Sequence, residues 1–154
     1  MEMGAAIEKQ LKNALLALSS EGTEIAEKVI HDEGKIDFFE VDIDEESVKI
    51  LARRQPAASD LRLVMAITKT TTDLERIGDE AEKIAKMSIE LSDKKSPKAY
   101  YAGINAMGVY LVGMVHDGLD AFARLDAKSA LEVASREPNS DGQYIATLRQ
   151  LITY

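Results

Sequence analysis

The sequence contains no cysteine and no tryptophan, and only 5% of its 154 residues are aromatic. Without cysteine the chain can form no disulfide, bind no metal through a thiolate and use no thiol nucleophile. Only three prolines are present, so few positions force a helix to stop. A core with so few aromatic rings is packed mainly by Leu, Ile, Val, Met and Ala, and this composition favours helices. We therefore predict an all-α fold.

Basic charge and long hydrophobic runs are also scarce. Lys and Arg number 19 against 27 Asp and Glu, which gives a net charge of −8. Such a chain offers no basic surface for phosphate backbones, so no nucleic-acid partner is expected. The first residues lack the basic region and apolar core of a signal peptide, and the longest uncharged apolar run, 104–115, is too short to span a bilayer. The absence of cysteine fits a reducing cytosol.

Hydrophobic periodicity predicts five helices and no strand. The first is interrupted at Gly22, Pro56 separates the second from the third, and Ser59 is a good N-cap for the third. Glu137-Pro138-Asn139 is predicted to separate the fourth helix from the fifth. The predicted spans are about 3–30, 36–54, 60–91, 98–134 and from 140 onward.

An internal repeat indicates how these helices are organised. After a shift of 104 positions, Met3 and Gly4 fall on Met107 and Gly108, and several apolar positions that follow also match. A shorter connection then changes the shift to 97. This period is too long for a solenoid unit and suits two copies of a small helical bundle. We predict a first three-helix bundle at 1–96 and an incomplete second bundle of two helices at 97–154.

On the predicted helices, three acidic pairs share the spacing Glu-x-x-x-Asp. Because four residues slightly exceed one helical turn, the two carboxylates of each pair project from the same face with Cβ atoms roughly 5–6 Å apart. Like charges held this close repel unless a hard cation lies between them. A solvated acidic surface is the competing interpretation of any single pair. The candidate metal ligands are Glu40, Asp44, Glu75, Asp79, Glu137 and Asp141.

The placement of two of the acidic pairs favours a metal site. An antiparallel hairpin about residues 55–59 puts Glu40 and Glu75 roughly 22 and 24 Å from the turn, at 1.5 Å per residue. Both pairs flank the predicted apolar stripes of their helices, so four carboxylates would meet beside one helix pair. The third pair coincides with the first under the shift of 97.

Two stretches carry a family resemblance. RRQPAASDLR at 53–62, followed by LERIGD at 74–79, resembles the signature of the PhoU family, and the similarity extends over nearly the whole chain. The resemblance implies tandem three-helix bundles and surface metal clusters, with iron or zinc as the favoured ions, held by the three Glu-x-x-x-Asp pairs. Members of the family begin further upstream and carry a second E-R-I-G-D in a last helix. We therefore expect a second bundle that lacks its last helix and exposes an apolar face to another chain. This face comprises Leu111, Val115, Leu119, Phe122, Ile145 and Leu148.

The resemblance also implies a function. PhoU proteins are cytoplasmic negative regulators of the phosphate-starvation response that link the phosphate ABC transporter, through its ATPase subunit, to a sensor histidine kinase. A regulator of this kind is not an enzyme, forms a homo-oligomer and meets the membrane only through its partners.

Two other functions remain open from the residues alone. A metal-free helical adaptor would need none of the carboxylates as ligands. A di-metal oxidase of the ferritin-like kind needs Glu-x-x-His motifs, and neither His31 nor His116 lies three residues after a glutamate. No Walker motif, nucleophile elbow or Gly-rich loop supports direct phosphate chemistry.

Overall fold

The computed structural model describes residues 1–20, 22–92 and 101–153, and these residues form helices joined by short connections without any strand. The all-α prediction is confirmed. The helices are α1 (Glu2–Ser19), α2 (Glu24–Arg54), α3 (Ala58–Ser92), α4 (Tyr101–Ala123), α5 (Ala127–Ala134) and α6 (Glu137–Thr153).

Helices α1, α2 and α3 pack on one another as a three-helix bundle, and α2 with α3 forms its most extensive contact. Small residues dominate one end of the core, where Ala14, Ala26 and Ala85 are buried. Larger side chains fill the other end, where Ile7 and Ile36 are completely buried. Burial of such stripes stabilises each helix more than its intrinsic propensity does.

The predicted boundary between the first two helices was wrong. In the structure α1 ends at Ser19, and a single helix extends from Glu24 through Gly34 to Arg54. The break falls at Gly22, whose φ of 100° is accessible to glycine without steric cost. Gly34 costs about 1 kcal/mol in a helix, which the burial of Val29 and Ile36 on either side offsets.

The predicted fourth helix, 98–134, is in fact divided. Leu125 adopts a positive φ of 52°, and the Asp126 carboxylate then caps α5 by accepting hydrogen bonds from the backbone N–H groups of Lys128 and Ser129, both at 3.1 Å. Pro138 was expected to separate helices, but it lies in the first turn of α6. Proline is tolerated there because its missing N–H has no partner in the first turn of a helix.

Helices α1 and α4 cross closely, and their contact repeats the internal symmetry. A Cβ added to Gly4 would lie 3.1 Å from Leu119, and one added to Gly108 would lie even closer to Leu15. Under the shift of 104, Gly4 corresponds to Gly108 and Leu15 corresponds to Leu119. The contacts Gly4–Leu119 and Leu15–Gly108 are therefore equivalent. The structure thus supports the repeat that the sequence indicated.

This crossing corrects one expectation about the second half of the chain. Val115 and Leu119 were expected to be uncovered, but they pack against the core around Met3 and Ile7. The predicted boundary between bundles, at residue 96, lies outside the described residues and stays a prediction. Within the described ranges, no helix is long and apolar enough to cross a membrane.

Candidate functional site

The carboxylates of Glu40 and Asp44 on α2 and of Glu75 and Asp79 on α3 all lie at the edge of the first bundle, where each residue is half-buried. The periodicity explains this position. Ile36 and Ser47 point into the bundle, and Glu40 and Asp44 are turned from them by less than a quarter of the helix circumference. The four carboxylates therefore flank the core, as the sequence predicted, without entering it.

Glu40 on α2 and Glu75 on α3 lie close enough for their charges to interact. The pKa of the Glu75 carboxyl is raised, first because burial disfavours its charged form and then because Asp79, Glu40 and Asp37 lie nearby. Glu40 and Asp37 belong to the other helix of the hairpin, so their charges act on Glu75 across the α2–α3 contact. Such mutual repulsion favours any species that neutralises the site, whether a proton or a cation.

Sequence analysis missed Glu33, which lies on the same side of α2 two turns before Glu40. Glu33 is only 8% exposed, and its Oε2 accepts a hydrogen bond from Nε2 of the buried Gln10. Burial, with the charges of Asp37, Asp79 and Glu82, raises the pKa of Glu33 to about 7, although the bond from Gln10 opposes the shift. Glu33 was overlooked because the second helix was predicted to begin only at Ile36.

Two observations bear on whether a metal fits these carboxylates. Asp44 Oδ1 and Glu33 Oε1 are the buried side-chain oxygens that find no hydrogen-bond partner in the described part of the chain, and an oxygen without a donor is suited to a cation. Over the same residues, however, no three or more carboxylate or imidazole groups converge as a ready set of ligands. The residues are chemically suitable, and their side chains would have to move toward one another to share an ion.

The third predicted pair lies apart from the other two. Glu137 and Asp141 are exposed in the first two turns of α6. His116 on α4 contacts α1: its Nδ1 lies 3.1 Å from each carboxylate oxygen of Glu8.

Comparison with known proteins identifies relatives of the whole chain. The family model described as the PhoU domain matches residues 1–88. The phosphate-specific transport system accessory protein PhoU homolog of Pseudomonas putida is 46% identical over 154 residues, which are all of this chain and 60% of that protein. The PhoU accessory protein of Escherichia coli (strain K12) is 41% identical over 155 residues, covering 100% of this chain and 64% of its own length.

Solved structures agree in fold. The crystal structure of PhoU from Pseudomonas aeruginosa matches with a TM-score of 0.95 and 45% identity, covering 99% of this chain and 73% of that one. The phosphate transport system regulatory protein PhoU from Streptococcus pneumoniae matches with a TM-score of 0.89 and 30% identity, covering 99% and 71%. The chain thus spans 60% and 64% of the length of these two curated relatives. With a family model over more than half of its residues and the same helical architecture, this chain belongs to the PhoU family.

Proposed function

We propose that this protein is a regulator of phosphate homeostasis that represses phosphate uptake and phosphate-starvation signalling when phosphate is ample. It acts in the cytoplasm as a homo-oligomer and links the ATPase subunit of a phosphate ABC transporter to a sensor histidine kinase. Its similarity over its full length to accessory proteins of phosphate-specific transport carries this proposal. Its role is to bind partners, not to catalyse a reaction.

The proposed regulator binds metal ions through the acidic pairs. Glu40, Asp44, Glu75 and Asp79 would hold an ion between α2 and α3, and Glu137 with Asp141 would contribute a second, more exposed position. A bound cation supplies charge neutralisation, which would relieve the repulsion that raises the pKa of Glu75 and fix the two helices against each other. Iron and zinc are the ions we favour.

Replacing Glu75 and Asp79 together by alanine is expected to abolish metal binding between α2 and α3 without loss of helicity, because both side chains flank the core. The measurement is metal stoichiometry after chelator-stripped protein is titrated with iron, zinc, manganese and magnesium. The matched control removes two exposed acids from the same helix, Asp73→Ala with Glu90→Ala. Unchanged stoichiometry in the Glu75/Asp79 variant would refute the assignment of these ligands.

The regulatory role is tested in a bacterium that lacks its own PhoU-family regulator and carries a reporter of the phosphate-starvation response. Expression of this chain is expected to lower reporter output in phosphate-rich medium and to leave output high in phosphate-poor medium. Protein levels are matched by immunoblot. A chain that accumulates to normal levels and leaves the reporter unchanged in rich medium would contradict the proposal.

A metal-free helical adaptor is the second candidate function. Exposed apolar side chains on α2, at Phe38, Val41 and Val48, favour it because they offer a protein-binding surface that needs no ion. The reporter assay separates the two candidates: an adaptor would repress the reporter equally well with alanine at Glu75 and Asp79.

A further inference from the structure

The outer side of α2 carries an apolar stripe that the bundle leaves uncovered. Phe38, Val41 and Val48 are 67%, 56% and 64% exposed, and they follow one side of the helix for about 15 Å at 1.5 Å per residue. The opposite side of α2 is buried through Ile36 and Ser47. A surface helix ordinarily carries polar residues on the side away from its core, so this stripe is a candidate binding surface.

Acidic side chains border this stripe, and one lies within it. Asp37, Asp42 and Glu46 are exposed on either side of it, and Glu45, four residues after Val41 and three before Val48, is exposed on the stripe itself. Lys49 is the one cation between residues 37 and 49, and its Nζ lies 3.5 Å from Glu45 and 2.9 Å from Glu46. Within the described residues, Asp37 and Asp42 form no ion pair with a cation of this chain. The border therefore keeps a clear excess of negative charge.

The stripe is open at its C-terminal end. Val41, Asp44, Glu45, Val48 and Lys49, all on α2, form a shallow and open part of the surface there. A side chain of a partner would contact Val41 and Val48, with charged side chains at the edge of the contact. Protein interfaces are commonly built in this way, with an apolar centre and a polar edge.

We propose that the stripe of Phe38, Val41 and Val48 binds an amphipathic helix of another protein whose apolar residues are flanked by lysine or arginine. An amphipathic helix lays its apolar side along such a surface, and basic flanks complement the acidic border. The proposal stands on this surface alone and does not require the carboxylate site to hold a metal.

Two other occupants fit less well. A second copy of this chain seated through the same surface would bring two acidic borders together, which like-charge repulsion disfavours. An anionic lipid surface would likewise repel Asp37, Asp42, Glu45 and Glu46. The charge of the border thus selects a basic protein partner.

Two synthetic peptides of about 16 residues, a length at which an alanine-rich helix is marginally stable, provide the probe. One carries leucines at helical spacing flanked by lysines, and the other has glutamate at every lysine position. Binding to the full 154-residue chain is measured by fluorescence anisotropy. We expect the lysine peptide to bind at least about tenfold more tightly than the glutamate peptide, and its binding to weaken as salt rises.

Variants of the stripe locate the binding surface. Val41→Ser combined with Val48→Ser is expected to weaken the lysine peptide about tenfold or more. Val109→Ser, at a position on α4 that is 70% exposed, serves as the matched control and should leave binding unchanged. Because all three positions are exposed, the variants should keep the circular dichroism spectrum of the parent.

A charge exchange provides an independent test. Asp42→Lys combined with Glu45→Lys should weaken binding of the lysine peptide and strengthen binding of the glutamate peptide. Equal binding of the two peptides, or serine variants that bind like the parent, would overturn the proposal. So would preferential binding to phosphatidylglycerol vesicles, or a fall in sedimenting mass in the Val41/Val48 variant, because these outcomes assign the stripe to a membrane or to a second copy.

Discussion

At micromolar concentration the chain is expected to sediment as a dimer or larger assembly, because apolar side chains of its second half lie exposed. Leu111 on α4 and Ile145 and Leu148 on α6 are among the exposed large hydrophobic residues. They belong to the apolar face of the second bundle that the sequence predicted to be uncovered. The contact with α1 covers only part of that face. Self-association through residues 98–154 would bury the remainder.

A groove beside α4 adds to this surface. It has a volume of about 690 Å³ and lies between α1, α3 and α4, with Leu15, Ile77, Met107 and Leu111 among its apolar lining residues. At roughly 25 cal/mol per Å², burying ~400 Å² of apolar surface contributes about 10 kcal/mol before the entropic cost of association. That is comparable to the whole stability of a domain, so we expect self-association to be strong.

Substitutions separate this surface from the rest of the molecule. Leu111→Asp combined with Leu148→Asp should convert the assembly to a monomer in sedimentation velocity. Leu61→Asp, at an exposed leucine on the first turn of α3, introduces the same charge away from the surface and should leave the mass unchanged. A parent chain that is already monomeric, with α4 and α6 protected from hydrogen exchange, would contradict the prediction.

The first bundle was the part most accessible from the sequence. Its helices carry regular apolar stripes, and the hairpin at 55–59 fixes which residues of α2 and α3 face each other. For that reason counting residues from the turn sufficed to place Glu40 beside Glu75. Gly78 lies on the packed side of α3, where an added Cβ would lie within 3.2 Å of both Ile7 and Ile36.

Other features depend on contacts that local patterns do not encode. The crossing of α1 and α4 brings together residues separated by about a hundred positions, such as Gly4 and Leu119. The continuity of α2 through Gly34 depends on burial of Val29 and Ile36, which outweighs the local preference for a break. An error at that boundary removed Glu33 from the predicted helix, and with it a carboxyl whose pKa is raised to about 7 by burial.

Glu33 gives the second large effect, a dependence of stability on pH. Its pKa is raised from the ordinary value of 4.5 to about 7, mainly by burial. Below pH 4.5 the carboxyl is protonated in both the folded and the unfolded chain, so it carries no penalty. As the pH rises from about 4.5 to about 7, the unfolded chain releases this proton more readily and the free energy of unfolding falls. Above pH 7 this loss is complete.

Replacing Glu33 by glutamine is expected to raise the free energy of unfolding at pH 8 by ~1–3 kcal/mol, since one pKa unit corresponds to about 1.4 kcal/mol. Glutamine keeps the size of the side chain and can still accept the hydrogen bond from Gln10, while its neutral amide avoids repulsion from Asp37, Asp79 and Glu82. At pH 4.5 the parent and the variant should differ little, because Glu33 is then neutral in the folded parent and still about half protonated in the unfolded chain.

Urea denaturation of chelator-treated protein between pH 4.5 and pH 8 measures this difference. Chelation matters because a cation near Asp79 would itself shift the titration of Glu33. Glu90→Gln, at an exposed glutamate on α3, is the matched control and should track the parent at every pH. The expected signature is a gap between Glu33→Gln and the parent that opens as pH rises and becomes constant above about pH 7. A gap of the same size at every pH would mean that Glu33 contributes through packing and its bond to Gln10, and not through burial of its charge.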